Sequence, residues 1–156
     1  MSLTAAIALM KRIDLFARLD AVRLEVLAFT AERRCFEAGE TVFEAGAPAD
    51  AAYLILDGEA VMFAHIGEAR EGGEPRALRL DRGDLIGETA LFESGVRWST
   101  VRAATRLDTL RISRAVFDRL LGEFPEMAGA ASGALADRLQ ALGDELAELR
   151  RRFGGR

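Results

Sequence analysis

The sequence predicts a mainly β domain with helices at both ends, and three observations predict it. Between about residues 33 and 112, short apolar runs are separated by Gly, Asp and Pro every 8–12 residues or so, the pattern of a sandwich or barrel. On either side of that stretch the apolar period becomes helical. Half of the 156 residues are hydrophobic, enough to give one domain a real core.

The elements follow in order. "IDLFARL" reads as a short helix or turn that packs Leu15 and Phe16 inward. Asp20 suits the N-cap of a helix in "AVRLEVLAFTAERR", where Leu24, Leu27, Ala28 and Ala31 recur at helical spacing. "RRCFEAGETVF" predicts two short strands around Gly39. "AAYLILDGEAVMF" reads as a hairpin, because Asp57-Gly58 between apolar runs suits a tight turn with positive φ. The polar, glycine-rich "HIGEAREGGEPR" reads as an exposed hairpin tip, and "ALRLD" as a strand with Leu78 and Leu80 on one face. "TVRAATRLDTLRI" predicts two more strands, the second alternating Leu110 and Ile112 against Thr109 and Arg111. Tyr53, Ile55, Val61 and Leu80 are candidate core residues.

Ser113 can cap "RAVFDRLLGEF", with Val116, Leu120 and Leu121 as its apolar positions. Pro125 then marks a break and the start of a new helix. Leu135, Leu139, Leu142, Leu146 and Leu149 follow a 4-3-4-3 spacing, the a/d seam of a coiled coil. In a parallel pair Glu145 would face Arg150 of the other chain. The seam is short and Gly143 weakens it, so pairing would need help from the globular part. The chain therefore divides into residues 1–125, the β domain with its flanking helices, and residues 126–156, a dimerisation helix with a frayed tail. The expected assembly is a homodimer.

Composition excludes several classes of chemistry. A net charge of −4 gives no global pull toward nucleic acid. Cys35 is the only cysteine, so there is no internal disulfide, and it reads as a small buried hydrophobe. One Cys and one His, His65, cannot make a zinc site without several carboxylates, and a single thiolate excludes an iron–sulfur site. A nucleophilic triad would have to use His65, which reads as an exposed loop residue with no nucleophile elbow near it. The expectation is a protein that is not an enzyme. The apolar run in "MSLTAAIALMKR" lacks the basic flank and cleavage site of a signal peptide, and no stretch approaches the ~20 apolar residues of a membrane span. A cytoplasmic protein without a membrane partner is expected.

The chemistry concentrates in "LIGETALFESGVRWSTVRA". A strand ends at Ile86, and "ETALF" has the length of one helical turn whose N-terminus would lie at Gly87-Glu88. Such a turn presents N–H groups to an anion. Arg97 follows Glu88 by nine residues, and its planar fork matches phosphate oxygens. A carboxylate beside a phosphate would be repelled unless a hydroxyl separated them. The pair therefore suits a ribose phosphate, with Glu88 accepting from the hydroxyl and Arg97 holding the phosphate. The bland alternative is a surface ion pair worth ~0–1 kcal/mol.

"GDLIGETALFESGVRWSTVRA" resembles the phosphate-binding cassette of cyclic nucleotide-binding domains. The resemblance extends upstream through "FEAGAPADAAYLILDGEA", with Gly46, Asp50, Tyr53, Ile55 and Gly58 in the family's pattern, and downstream through "RISRAVFDRLLGEFPEM". It covers roughly residues 12 to 142. It implies a double-stranded β-helix, a jelly-roll-like and cupin-like β-roll, with N-terminal helices and a long C-terminal helix. It also implies a signalling role in which cAMP or cGMP binds and the C-terminal helix is repositioned. No other cofactor is expected. Carried over residue by residue, Glu88 and the backbone at Gly87 would take the ribose 2′-hydroxyl, and Arg97 the cyclic phosphate. The backbone amides near Thr89, and at Trp98 and Ser99, would help hold that phosphate.

Two positions depart from the family. Trp98 stands where a small residue is usual, and its indole either stacks on a base or fills the pocket. Where DNA-binding cAMP receptor relatives have hydroxyl residues that read adenine, a gapless alignment reaches Leu142-Gly143. Only about fourteen residues follow Leu142, too few for a helix-turn-helix, so no sequence-specific DNA binding is expected. Two other readings remain open. One is a nucleotide-free β-roll that serves as a dimerisation or interaction scaffold. The other is a regulatory fragment of a larger Crp-like transcription regulator, channel or kinase.

Overall fold

The computed structural model describes residues 2–17, 19–64 and 76–123. Three helices open the chain, α1 (Leu3–Met10), α2 (Asp14–Ala17) and α3 (Ala21–Thr30). Ten strands follow among the described residues: β1 (Glu32–Phe36), β2 (Thr41–Phe43), β3 (Pro48–Ala49), β4 (Ala51–Asp57), β5 (Ala60–Ala64), β6 (Arg76–Leu80), β7 (Leu85–Ile86), β8 (Gly95–Val96), β9 (Ser99–Ala103) and β10 (Leu107–Ser113). A 3₁₀ turn, Glu88–Leu91, lies between β7 and β8, and α4 (Arg114–Glu123) closes the described part.

The strands form two four-stranded antiparallel sheets, ordered β1-β10-β4-β7 and β2-β9-β5-β6, with β3 and β8 paired as a small ribbon. This is the mainly β, jelly-roll-like architecture that the sequence predicts. Ala51, Tyr53, Ile55, Ala60, Leu80, Ile86, Val101, Ala103 and Leu107 fill the space between the sheets. The other face of the first sheet presents Ala52, Leu54, Leu56, Leu110 and Ile112 to the helices. There they meet Met10, Phe16, Leu24, Leu27, Phe117 and Leu120. Strands β4 and β10 are thus covered on both sides, which explains why "AAYLIL" is an unbroken apolar run rather than an alternating one.

The helix caps are as expected. Asp20 Oδ1 accepts the Arg23 N–H at 2.9 Å, and Ser113 Oγ accepts the Val116 N–H at 3.1 Å. Helix α1, capped by Ser2, buries Ala6, Leu9 and Met10 and turns the N-terminal apolar run into part of the helix-side core.

Several local expectations are corrected. Asp57-Gly58 does not close a hairpin: β4 pairs with β10 and β7, whereas β5 pairs with β6 and β9. The turn carries the chain from one sheet to the other, although Gly58 does adopt the expected positive φ of 93°. Val61 lies opposite Arg79 and is only half-buried, because Ala60 and Met62 take the inward positions of β5. Leu78 and Leu80 do share a face, opposite Met62 and Ala60, but only Leu80 is buried. Leu110 and Ile112 do alternate against Thr109 and Arg111, and Thr109 is buried, its hydroxyl donating to the Arg34 carbonyl at 2.9 Å. Cys35 is exposed, not buried, because it sits on the outer face of edge strand β1 opposite Asp108. Its thiol donates to Asp108 Oδ1 at 2.7 Å, and this bond, more than burial or charge, pushes its pKa above the ordinary value.

His65, the expected hairpin tip, Pro125 and the leucine seam from Leu135 to Leu149 with Glu145 and Arg150 lie outside the described residues, as does the 126–156 division. Among the described residues no helix is long and apolar enough to cross a membrane.

Candidate functional site

The site forms where β7 gives way to the 3₁₀ turn and β8 gives way to β9. Gly87 stands at the start of that turn with φ 71°, ψ 34°, a left-handed conformation that suits glycine. The turn is fixed from below: Ala90 and Leu91 are buried, and Leu91 belongs to the helix-side core. Glu88 and Thr89 remain at its upper side, half-buried.

Arg97 follows the β3–β8 ribbon. Its backbone is tied on both sides: its N–H donates to the Ala47 carbonyl at 2.7 Å, and its carbonyl accepts from the Gly46 N–H at 2.7 Å. The side chain runs inward and is 5% exposed. Nη2 donates to the Ala51 carbonyl at 2.6 Å and lies 3.8 Å from Asp50 Oδ1. The guanidinium carbon sits 4.1 Å from the centroid of the Phe43 ring, a cation–π arrangement. Nη1 lies beside Gly87, in the space a Cβ at that position would occupy.

A guanidinium has five N–H donors. Here Nε is buried with no hydrogen-bond partner among the described residues. Burial pushes the pKa of Arg97 below its ordinary value; Tyr53 and Asp50 oppose the shift, and Arg111 adds to it. A buried cation with unmatched donors, beside a backbone that leaves room for it only because residue 87 is glycine, fits an anionic ligand. A phosphodiester supplies the missing charge and acceptors together.

Of the six residues singled out from the sequence, Gly87 and Arg97 meet directly. Glu88 and Thr89 continue the turn from Gly87, and Ser99 is buried at the start of β9. Trp98 is 59% exposed. Sequence reasoning did not find Phe43 or the Ala51 carbonyl as partners of Arg97. They come from strands 54 and 46 residues away, and only sheet closure brings them there.

The Gly87–Arg97 packing has a direct consequence. Gly87→Ala should lower stability by about 1–2 kcal/mol through the left-handed backbone and push the guanidinium off its seat. Chemical denaturation of the two proteins checks this, and equal midpoints would contradict it.

Comparison with known proteins places the whole domain. The cyclic nucleotide-binding domain profile matches residues 33–124. A cAMP-dependent protein kinase regulatory subunit of Schizosaccharomyces pombe is 32% identical over 114 residues, which cover 73% of this chain and 26% of that protein. A CRP-like cAMP-activated global transcriptional regulator of Mycobacterium tuberculosis is 30% identical over 115 residues, covering 73% of this chain and 50% of that one. Among solved structures, the N-terminal domain of a transcriptional regulator from Streptomyces coelicolor A3(2) superposes with a TM-score of 0.77 at 28% identity, covering 87% of this chain and 95% of that one. The chain thus spans a quarter to a half of those two curated relatives. Since the profile spans more than half of the 156 residues, from β1 to the end of α4, this chain belongs to the cyclic nucleotide-binding domain family.

Proposed function

We propose that this domain is a sensor that binds a cyclic nucleoside monophosphate, cAMP or cGMP, reversibly and without turning it over. The observation that carries the reading is the buried Arg97 guanidinium, seated against Gly87 with an unmatched Nε. In this reading Arg97 holds the cyclic phosphate, with backbone amides near Thr89 and at Trp98 and Ser99 as further donors. Glu88, with the backbone at Gly87, accepts the ribose 2′-hydroxyl. Trp98, exposed next to Arg97, stacks on the base in this reading. The names of the kinase subunit and the mycobacterial regulator favour cAMP over cGMP.

The route from ligand to helix is short. Arg114, the first residue of α4, donates through Nη1 to the carbonyls of Ala49 at 2.9 Å, Glu93 at 3.0 Å and Ala90 at 3.3 Å. Ala90 belongs to the 3₁₀ turn and Glu93 follows it. A ligand that prefers one position of that turn therefore also biases the start of α4.

Thermal melting with cAMP, cGMP and 5′-AMP tests the binding. A cyclic nucleotide at about 100 times its dissociation constant should stabilise the fold by ~2.7 kcal/mol. 5′-AMP, an open phosphate monoester with a charge of about −1.5 to −2 at pH 7, should stabilise far less. No shift with either cyclic nucleotide would overturn the reading.

A further inference from the structure

Arg97 ends a line of alternating charges that crosses the first sheet. The register places Glu32 of β1 opposite Arg111 of β10, and Arg111 opposite Tyr53 of β4. Directly paired residues share a face, and Tyr53 packs between the sheets. Arg111 and Glu32 therefore lie on the face that holds the site, and Arg34 lies two residues along β1 on the same side. Arg34 Nη2 is 3.1 Å from Glu32, Arg111 Nη1 is 3.8 Å from Glu32, and Arg111 Nη2 is 3.0 Å from Asp50. Asp50 in turn is 3.8 Å from Arg97.

Two features of this line bear on the ligand. Its three arginines and two carboxylates leave one positive charge over, and of its two ends, Arg34 and Arg97, only Arg97 has its one carboxylate as far as 3.8 Å away. The sharing of Asp50 is also unequal. Its shorter ion pair is with Arg111, which is 17% exposed, while Asp50 itself is 60% exposed. Asp50 is the one carboxylate paired with Arg97 among the described residues. Released from Arg111, it would have Arg97 as its remaining cation, and an arriving phosphate would have to compete with it.

We infer that Arg111 is a positioning residue for the phosphate site: it holds the Asp50 carboxylate and so keeps the positive charge of Arg97 available to a singly charged phosphodiester. The inference rests on the proposed cyclic-nucleotide binding.

A double-mutant cycle read by calorimetric titration with cAMP tests it. Arg111→Gln should weaken binding about tenfold, and in the Asp50→Asn background the same substitution should cost less than about threefold, because no carboxylate is left to hold. A purely structural or through-space role for Arg111 would keep the tenfold loss in both backgrounds, which would overturn the inference. So would Arg111→Gln binding as the wild type does. If Arg111→Gln does not fold, Arg111→Lys serves in its place. Its single nitrogen cannot span Glu32 and Asp50, so a loss of about threefold is expected, again removed by Asp50→Asn. Persistence of that loss, or its absence, would count against the inference. A wild-type protein that binds no cyclic nucleotide would overturn the proposed function as well, an outcome distinct from any failure confined to the variants.

Discussion

Arg97→Met should weaken cyclic-nucleotide binding roughly 100-fold or more while leaving the unliganded protein about as stable as before, or slightly more so. The two effects have different causes. Removing one partner of a buried, hydrogen-bonded charge pair costs about 2–5 kcal/mol of binding, and each 1.4 kcal/mol is about tenfold. In the unliganded protein the same guanidinium is 5% exposed, with one carbonyl at 2.6 Å, a carboxylate only at 3.8 Å and an unmatched Nε. Its desolvation is incompletely compensated, and an apolar side chain of similar length often does as well in such a place. Methionine also keeps a favourable contact with the Phe43 ring, replacing the cation–π interaction. Denaturant melts and titrations of the two proteins separate these effects. A variant that loses binding only because it unfolds would contradict this account of Arg97.

Gly58→Ala should have the largest effect on the fold. At φ 93°, a Cβ would fall onto the backbone carbonyl of Arg106 and within 3.0 Å of Thr105 Oγ1. That corner is where two passages between the sheets meet. The β4-to-β5 bend is bonded to the β9-to-β10 bend through Glu59 N–H to Thr105 Oγ1 at 3.0 Å and Ala104 N–H to the Glu59 carbonyl at 2.9 Å. A left-handed alanine costs about 1–2 kcal/mol, and a backbone shift to relieve overpacking about 1–3 more. The expected loss is about 2–5 kcal/mol, or roughly 4–20 °C in Tm for a chain of this size. A Tm indistinguishable from that of the wild type would show that the two bends are not coupled.

That corner also marks the limit of what the sequence discloses. Asp57-Gly58 announces a reversal with positive φ, and the reversal is there. The same local chemistry serves a hairpin and a sheet-switching bend, and the choice is made by pairing partners some 50 residues away. Strand positions, the caps at Asp20 and Ser113, and the turn at Glu88–Leu91 were legible because each depends on neighbouring residues. Cys35 was misjudged because its burial depends on β1 being an edge strand, a property of the whole sheet.

The site divides in the same way. Gly87, Glu88 and Arg97 were legible as candidates, because a glycine at a turn and a guanidinium nine residues after a carboxylate are local signatures, but the contact of Gly87 with Arg97 was not. The seat of the guanidinium was not legible. It is made by Phe43, Ala51 and Asp50, which reach Arg97 only after the two sheets close on each other. Trp98 shows the reverse. Its identity raised the question of a blocked pocket, and what the structure adds is that the residue is exposed where its neighbour Arg97 is buried.

The most direct measurement is a calorimetric titration of the unmodified chain with cAMP and cGMP, repeated with Arg97→Met. The account predicts a saturable heat with one ligand per chain for at least one of the two nucleotides, and its loss in the variant. Heat absent with both nucleotides, or binding that survives the loss of Arg97, would contradict it.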